Sequence, residues 1–421
     1  MTLCAHFDRG ECRSCTLLPQ PYPAQLQDRD SQVRGLLEPF GAGTDGCWLP
    51  PIASAPAGFR TKAKMVVAGT AADPILTLPG AEEPVGHSPA PSVSAAPAPA
   101  GAAAPVDLAD CPLYPPIIHD VLASAREVIR RAQIPPYSVA RRRGEVKFVL
   151  VTAAEDQALV RFVLRSDSAL GRLREHLDKL DPRAVVVSAN IHPEHVARLE
   201  GDEEIPLTEQ RAITMPVGDV PLRVLPQSFT QTNTDVAAQL YRQVGDWAAD
   251  IAASAGAPAA VDGAPASAGG GAGLRAWDLY CGVGGFALHL AQRGAVVTGV
   301  EISADAIDSA RATAEALGLT DSTGFHVADA TAWAREQDPS ALPDLAVVNP
   351  PRRGLGPDLT AYLESAPIPH VIYSSCSPAS LARDLAAMPS LRLVRGRVVD
   401  MFPHTPHAEV VVQLTRKEKR A

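Results

Sequence analysis

A thiol and a carboxylate stand at the ends of two strand patterns near the carboxyl terminus. The segment HVIYSSCSP (370–378) reads as a strand that delivers Cys376 to its end, just before a helix starting at Pro378. A single cysteine is more often a buried structural residue. At a strand end facing a ligand crevice, the start of the next helix would lower its pKa and favour the nucleophilic thiolate. The carboxylate lies in DMFPHTPHAE (400–409), a polar run between two strand patterns that places Glu409 where the last strand begins. A solvated turn glutamate is the plain alternative. A thiol and a base in one crevice would support covalent catalysis followed by proton removal.

The segment DLYCGVGGF (278–286) follows a strand and opens a helix, and Gly282 and its neighbouring glycines let the backbone turn tightly and approach a ligand. The next strand ends at Glu301, placed to take the ribose hydroxyls of an adenosine. Asp329 follows the strand pattern GFHVA, and Asn349-Pro350-Pro351 follows DLAVV. Ligands of open α/β sheets sit beyond the carboxyl ends of the strands, so these groups converge on one crevice. A nicotinamide-linked oxidoreductase would share the glycine turn but leave Asn349-Pro-Pro and Cys376 without a task. The turn suits a methyltransferase acting on a planar base, which implies S-adenosyl-L-methionine as methyl donor. A thiolate is useful there because C5 of uracil is a poor nucleophile until a group adds at C6.

From residue 275 onward, strands RAWDLY, AVVTGVE, GFHVA, DLAVVNP and HVIYSSC alternate with helical patterns, and LRLVRGRVV and EVVVQLT close the chain. That alternation predicts a doubly wound, mostly parallel α/β sheet of Rossmann-like kind ending in an antiparallel edge. Upstream, VKFVLVT (146–152), ALVRFVLRS (158–166) and PRAVVVSANIH (182–192) read as strands, and 234–251 as a helix. The Ala/Pro/Ser/Gly stretches 86–106 and 252–274 cannot bury enough to order themselves and read as a disordered insert and a loop. Three consecutive regions follow: 1–125, with the cysteine cluster; 126–230, an α/β region expected to bind RNA; and 231–421, the methyltransferase domain.

Three of the seven cysteines, Cys4, Cys12 and Cys15, crowd the first fifteen residues. Such density reads first as metal or iron–sulfur ligation in a reducing compartment, with zinc also open. No run of 18 apolar residues exists and the start lacks a signal-peptide core, so a cytoplasmic protein outside the membrane is expected. The net charge of −9 argues against nonspecific DNA binding. It does not exclude RNA, because Arg60–Lys64, Arg141–Arg143 with Lys147, and Arg352-Arg353 form local basic runs suited to phosphates.

The motifs NPPRRG (349–354), YSSC (373–376) and DMFPHTPHAE (400–409) resemble the RNA uracil-C5 methyltransferases, a family that includes tRNA and 23S rRNA enzymes. The resemblance covers nearly the whole chain outside the two low-complexity stretches. Its 23S rRNA branch is nearest, on Cys4-x7-Cys12-x2-Cys15, GFRTKAKM (58–65), CPLY (111–114) and PQSFTQTN (226–233). It implies Cys376 as nucleophile, Glu409 as base, and cofactor contacts from Gln231, Tyr280, Glu301 and Asn349. It also implies a [4Fe–4S] cluster on Cys4, Cys12, Cys15 and Cys111, a 23S rRNA loop uridine as target, and a monomeric enzyme. Ser377 and Ser380 depart from the Asn and Thr of many members, and Ala408 from a larger apolar residue. Other substrates for the same chemistry are a tRNA uridine or another rRNA uridine. A non-enzymatic iron–sulfur RNA-binding protein would account for the N-terminus alone.

Overall fold

The computed structural model describes residues 3–41, 47–79, 105–196, 198–254 and 273–417. The chain opens with helices α1 (Ala5–Asp8) and α2 (Tyr22–Leu37), then strands β1 (Lys62–Gly69) and β2 (Pro74–Thr77). Helix α3 (Pro116–Arg131) precedes β3 (Val146–Ala153), β4 (Ala158–Leu164), α4 (Leu170–Glu175), β5 (Val186–Ile191) and β6 (Glu203–Pro206). A small hairpin, β7 (Ile213–Val217) and β8 (Val220–Val224), leads into α5 (Thr234–Ser254). Alternation then takes over: β9 (Arg275–Leu279), α6 (Gly285–Gln292), β10 (Val296–Glu301), α7 (Ala304–Ala316), β11 (Thr323–Val327) and α8 (Ala330–Arg335). It continues with β12 (Leu345–Val348), α9 (Pro357–Ser365), β13 (His370–Ser375), α10 (Pro378–Ala386), β14 (Leu391–Val399) and β15 (Glu409–Arg416).

Two compact units result, and they do not follow the three consecutive regions expected from the sequence. The first contains residues 1–15 and 56–215, the second 16–55 and 216–421. The division differs because Arg29 and Tyr22 of α2 bond Asp400 at the end of β14, so 16–55 belongs with the C-terminal sheet. The expected insert 86–106 lies, except for its last two residues, outside the described residues. The same holds for most of the loop 252–274, although residues 252–254 extend α5.

The first unit is a six-stranded sheet in the order β2-β1-β3-β4-β5-β6, antiparallel except where β4 and β5 run parallel. Alternation sends Ala63, Met65, Val67, Val149, Val151, Val160 and Phe162 to one face, against α3. Helix α3 meets them because Ile118, Val121, Leu122, Ala125, Val128 and Ile129 recur at helical spacing and are fully buried. On the other face Arg161, 1% exposed, donates to Glu204 at 2.6 and 2.9 Å and to Glu200 at 2.6 Å. Asn190 adds a 2.8 Å bond to the Glu204 carboxylate.

The second unit holds a seven-stranded sheet ordered β11-β10-β9-β12-β13-β15-β14. The first five strands are parallel, with helices between them, as the alternation predicts. The closing pair is not a simple edge hairpin. β15 inserts antiparallel between β13 and β14, so β14 is the outer strand. Its free side is partly covered by residues 48–52: Leu49 and Ile52 donate to Gly396 and Val398 at 2.9 and 2.8 Å. Gly396 is needed at that crossing, because a Cβ there would lie 2.7 Å from the Trp48 ring.

An Arg161→Met variant should lose about 3–5 kcal/mol of stability in denaturant titration, since it strands two carboxylates against a buried face. A loss below about 1 kcal/mol would show that the pair contributes little beyond its shape.

Candidate active site

The parallel strands of the second unit end in a row of loops that carry the expected cofactor groups. After β9 the chain turns sharply at Tyr280, whose φ of +71° is rare for a residue with a side chain, and again at Gly282 (+54°) and Gly284 (+86°). A Cβ added to Gly282 would meet nothing within 4 Å, so that turn leaves open space above it. Asp278, fully buried, accepts from Ala287 N at 2.9 Å and so holds the start of α6. Its other oxygen has no partner among the described residues, and burial pushes its pKa up to about 7.

Glu301, at the end of β10, accepts from the backbone N–H groups of Gly282 (3.2 Å), Ile302 (2.9 Å) and Ser303 (3.1 Å). These bonds fix the carboxylate and leave acceptor capacity for two hydroxyls. Asp329 lies between β11 and α8. One of its oxygens caps α8, accepting from Thr331 and Ala332 at 3.0 and 2.9 Å. Tyr280 is half-buried and bonded to Thr331, with Asp329 and Arg353 as charged neighbours. Asn349 follows β12, its N–H directed at Leu279 O at 3.5 Å. Gln231 is half-buried in the segment leading into α5, beside Phe229, which is 71% exposed. A glycine turn with open space, a tethered acidic group one strand away and a buried carboxylate with a vacant lone pair suit an adenosine-bearing cofactor.

Strand register brings the two expected groups to one end of a ladder. β13 and β15 pair from His370↔Thr415 to Ser375↔Val410, and Cys376 and Glu409 are each one residue beyond that last pair. Glu409 is 2% exposed, and burial pushes its pKa up to about 7 against a 3.2 Å hydrogen bond donated by Ser374 Oγ. Cys376 is half-buried. Its thiol pKa is raised, by burial first and by the Glu409 carboxylate second, against the pull of the nearby Arg352 guanidinium. This corrects the expectation of a thiol acidified by the following helix. The N-terminus of α10 is capped instead by Ser377 Oγ, which accepts from Ser380 N at 3.3 Å. Ser375 Oγ donates to Ser377 O at 3.0 Å and accepts from Ser377 N at 3.2 Å, pinning the turn that carries the thiol.

Two supports are invisible to pattern reading. Ser380 Oγ donates to Arg352 O at 2.9 Å, and Asp384, 4% exposed, accepts from Leu355 N and Tyr373 Oη at 2.9 and 2.8 Å. Helix α10 thereby holds the Asn349–Leu355 loop beside Cys376. The other support is α2. The Arg29 guanidinium pairs with fully buried Asp400 and donates to Thr405 O at 2.6 Å, while Tyr22 Oη donates to Asp400 at 2.8 Å. Gln25 bonds the His404 N–H at 3.1 Å and lies 3.3 Å from its ring nitrogen. The loop so clamped is 400–408, which includes His404 at φ +65° and feeds directly into Glu409.

In the first unit, Cys4, Cys12, Cys15 and Cys111 are electrostatic neighbours. Burial, then the surrounding thiols, push Cys15 up to about 12, and burial raises Cys111 to about 11. His6 ties the two segments, bonding Glu11 at 2.6 Å and Asp110 at 2.7 Å. The donors fit an iron–sulfur or zinc site in kind. Their geometry does not yet match: among the described residues no group of three or more His, Cys, Asp or Glu is placed to hold a metal ion. Among the described residues, too, no helix is long and apolar enough to cross a membrane.

Known proteins share this arrangement. A family described as a methyltransferase domain matches residues 276–347, and one described as tRNA (uracil-5-)-methyltransferase matches 341–417. The 23S rRNA (uracil(747)-C(5))-methyltransferase RlmC of Halothiobacillus neapolitanus is 42% identical over 98% of this chain and 99% of its own length. The enzyme of the same name from Escherichia coli is 39% identical over 98% of this chain and 100% of its own. A tRNA (uracil-54, C5)-methyltransferase of Pyrococcus abyssi, solved with S-adenosyl-L-homocysteine, superposes with a TM-score of 0.72 at 23% identity, covering 96% of this chain and 86% of that one. It shares the fold. With full-length identity at this level, the chain belongs to the RlmC family of S-adenosylmethionine-dependent 23S rRNA (uracil-C5)-methyltransferases.

Proposed function

We propose that this methyltransferase acts on a loop uridine of 23S rRNA through a covalent adduct, with Cys376 as nucleophile and Glu409 as base. The observation that carries the reading is that Cys376 and Glu409 both lie one residue beyond the last β13–β15 pair, close enough for the carboxylate to raise the thiol pKa. The thiolate adds to C6 of the uracil, and the displaced electron pair makes C5 an enolate carbon. S-adenosylmethionine supplies the methyl group as an electrophile. C5 takes that group, Glu409 removes the C5 proton, and the returning electron pair expels Cys376 from C6. The positive charge of nearby Arg352 favours the ionised thiol against the burial that opposes it. A carboxyl pushed up to about 7 is suited to accepting a proton near neutrality and releasing it again. Asn349 and the clamped loop after β12 would orient the base, while Gln231, Tyr280, Gly282, Glu301 and Asp329 would line the cofactor.

The rRNA target follows the names of full-length relatives; a uridine must leave any stack to present C6, so a loop suits it. Cys4, Cys12, Cys15 and Cys111 would hold a [4Fe–4S] cluster, four thiolates being the usual ligand set.

Cys376→Ala should abolish methylation while keeping RNA and cofactor binding, and Glu409→Gln should accumulate a methylated protein–RNA adduct that survives denaturation. Near-normal turnover in the first variant, or full activity without adduct in the second, removes the respective assignment.

The pH profile gives a separate check. The base must be ionised, so product release should climb as pH rises through about 7. Ser374 donates to the carboxylate and favours its charged form, so Ser374→Ala should move that inflection to higher pH. An unmoved inflection means another group titrates.

Anaerobically prepared protein should contain about four irons per chain by metal analysis. Stoichiometric zinc without iron would overturn the cluster.

A further inference from the structure

The methyl-transfer chemistry leaves unused a hairpin of the first unit, the turn between α3 and β3. Residues 137–145 read YSVARRRGE, and Arg141, Arg142 and Arg143 are all exposed. Among the described residues none of the three has a carboxylate partner within ion-pair distance. The rest of the turn is tied down. Tyr137 N donates to Val146 O at 2.8 Å, Ser138 N to Arg143 O at 2.8 Å, and Glu145 N to Pro135 O at 2.8 Å. The Glu145 carboxylate is turned inward and accepts from Ser166 N and Oγ at 2.7 Å each. Arg165 donates to Gly144 O at 3.0 Å and pairs with Glu145 at 3.7 Å, so that carboxylate is engaged away from the tip.

The backbone at the tip is strained where the charge is. Arg142 has φ +49°, a region that glycine occupies freely and a side chain does not. Gly144 at φ +111° is forced by space, since a Cβ there would lie 2.0 Å from Pro136 O. A charged side chain held in an unfavourable conformation on a fixed turn is the pattern of a contact site. The expected run from Arg141 to Lys147 shrinks to this tip. Lys147 is 6% exposed, donates to Glu194 O at 2.6 Å and lies 4.9 Å above the Tyr137 ring, so it is committed inside.

We propose that the Ser138–Glu145 hairpin is a rigid prong that grips the phosphate backbone of the RNA substrate. Planar guanidinium groups bind phosphate oxygens in pairs, and three on a fixed turn lose little freedom on binding. In a chain of net charge −9, unpaired cations fixed on one turn give a local attraction that the whole surface does not. The inference rests on the RNA reading above but not on its chemistry or target.

The test is a salt titration with a protein-free 23S rRNA transcript. Dissociation constants are measured at several salt concentrations for the full chain and for the combined Arg141→Ala, Arg142→Gly, Arg143→Ala variant. The slope of log affinity against log salt should fall by about 2 to 3, at roughly 0.7–0.9 for each phosphate no longer neutralised. KM for RNA should rise while kcat at saturating RNA stays. Arg142→Gly alone should raise the melting temperature yet lower the slope by about 0.7–0.9, and Arg142→Lys should keep the slope. The single variant keeps the test alive if the triple one folds poorly. Unchanged slopes in both would overturn the prong. A wild-type enzyme that leaves this transcript unmethylated would instead overturn the target, with the slope difference still legible on the same RNA.

Discussion

The register of one strand decides whether this site exists. β15 lies antiparallel between β13 and β14, and its pairing with β13 leaves the first residue of β15 and the residue that follows β13 each one step beyond the last pair. A slip of one residue would send every side chain of β15 to the other face and separate Glu409 from Cys376. Burial holds β15 in the sheet: Val410, Val411, Val412 and Leu414 are fully buried, as are Val371, Ile372 and Tyr373 across from them. Polar bonds specific to this pairing fix its register, from Ser374 Oγ to Glu409 and from Arg395 to Gln413.

Burial also has a cost at this point, and α2 offsets it. Asp400 is fully buried at the end of β14, where a lone carboxylate would be expensive. Arg29 and Tyr22 satisfy it, and the same arginine holds Thr405 O, so one helix neutralises the charge and fixes the path of the loop. Among the described residues Glu409 has no such cation, and its carboxylate takes a hydrogen bond from the Ser374 hydroxyl instead. Two acids nine residues apart therefore behave differently: Asp400 serves as a structural anion, and Glu409 is left close to neutrality.

Much of this is legible in the sequence, and the reasons are local. The parallel strands are short apolar runs between glycine turns and helical patterns, and all five stand where the pattern puts them. Cys376 and Glu409 stand out as candidates because one follows the end of a strand and the other begins one. The insertion of β15 is not, since two adjacent strand patterns look the same whether the second forms an edge or fills a gap. Nor is the role of α2, because Tyr22, Gln25 and Arg29 reach partners more than 370 residues away. The direction of the thiol pKa escapes the sequence for a related reason. A helix start alone predicts a lowered value, whereas Ser377 caps that helix and the dominant influences are burial and a carboxylate from another strand.

A thiol and a carboxyl placed close together oppose each other when both are ionised, and the raised thiol pKa shows that opposition. Within the proposed cycle the two charges are not needed together. While sulfur must be a thiolate, a carboxyl near pKa 7 can remain protonated and spare it a second negative charge. Once sulfur is bonded to C6 it is a neutral thioether and adds no negative charge beside Glu409, whose pKa is raised by burial. To take the C5 proton, Glu409 must by then have given up its own and stand as the carboxylate. For the proposed cycle, pairing a half-buried thiol with a buried carboxyl makes the order of ionisation matter: thiolate first, carboxylate once sulfur is bonded.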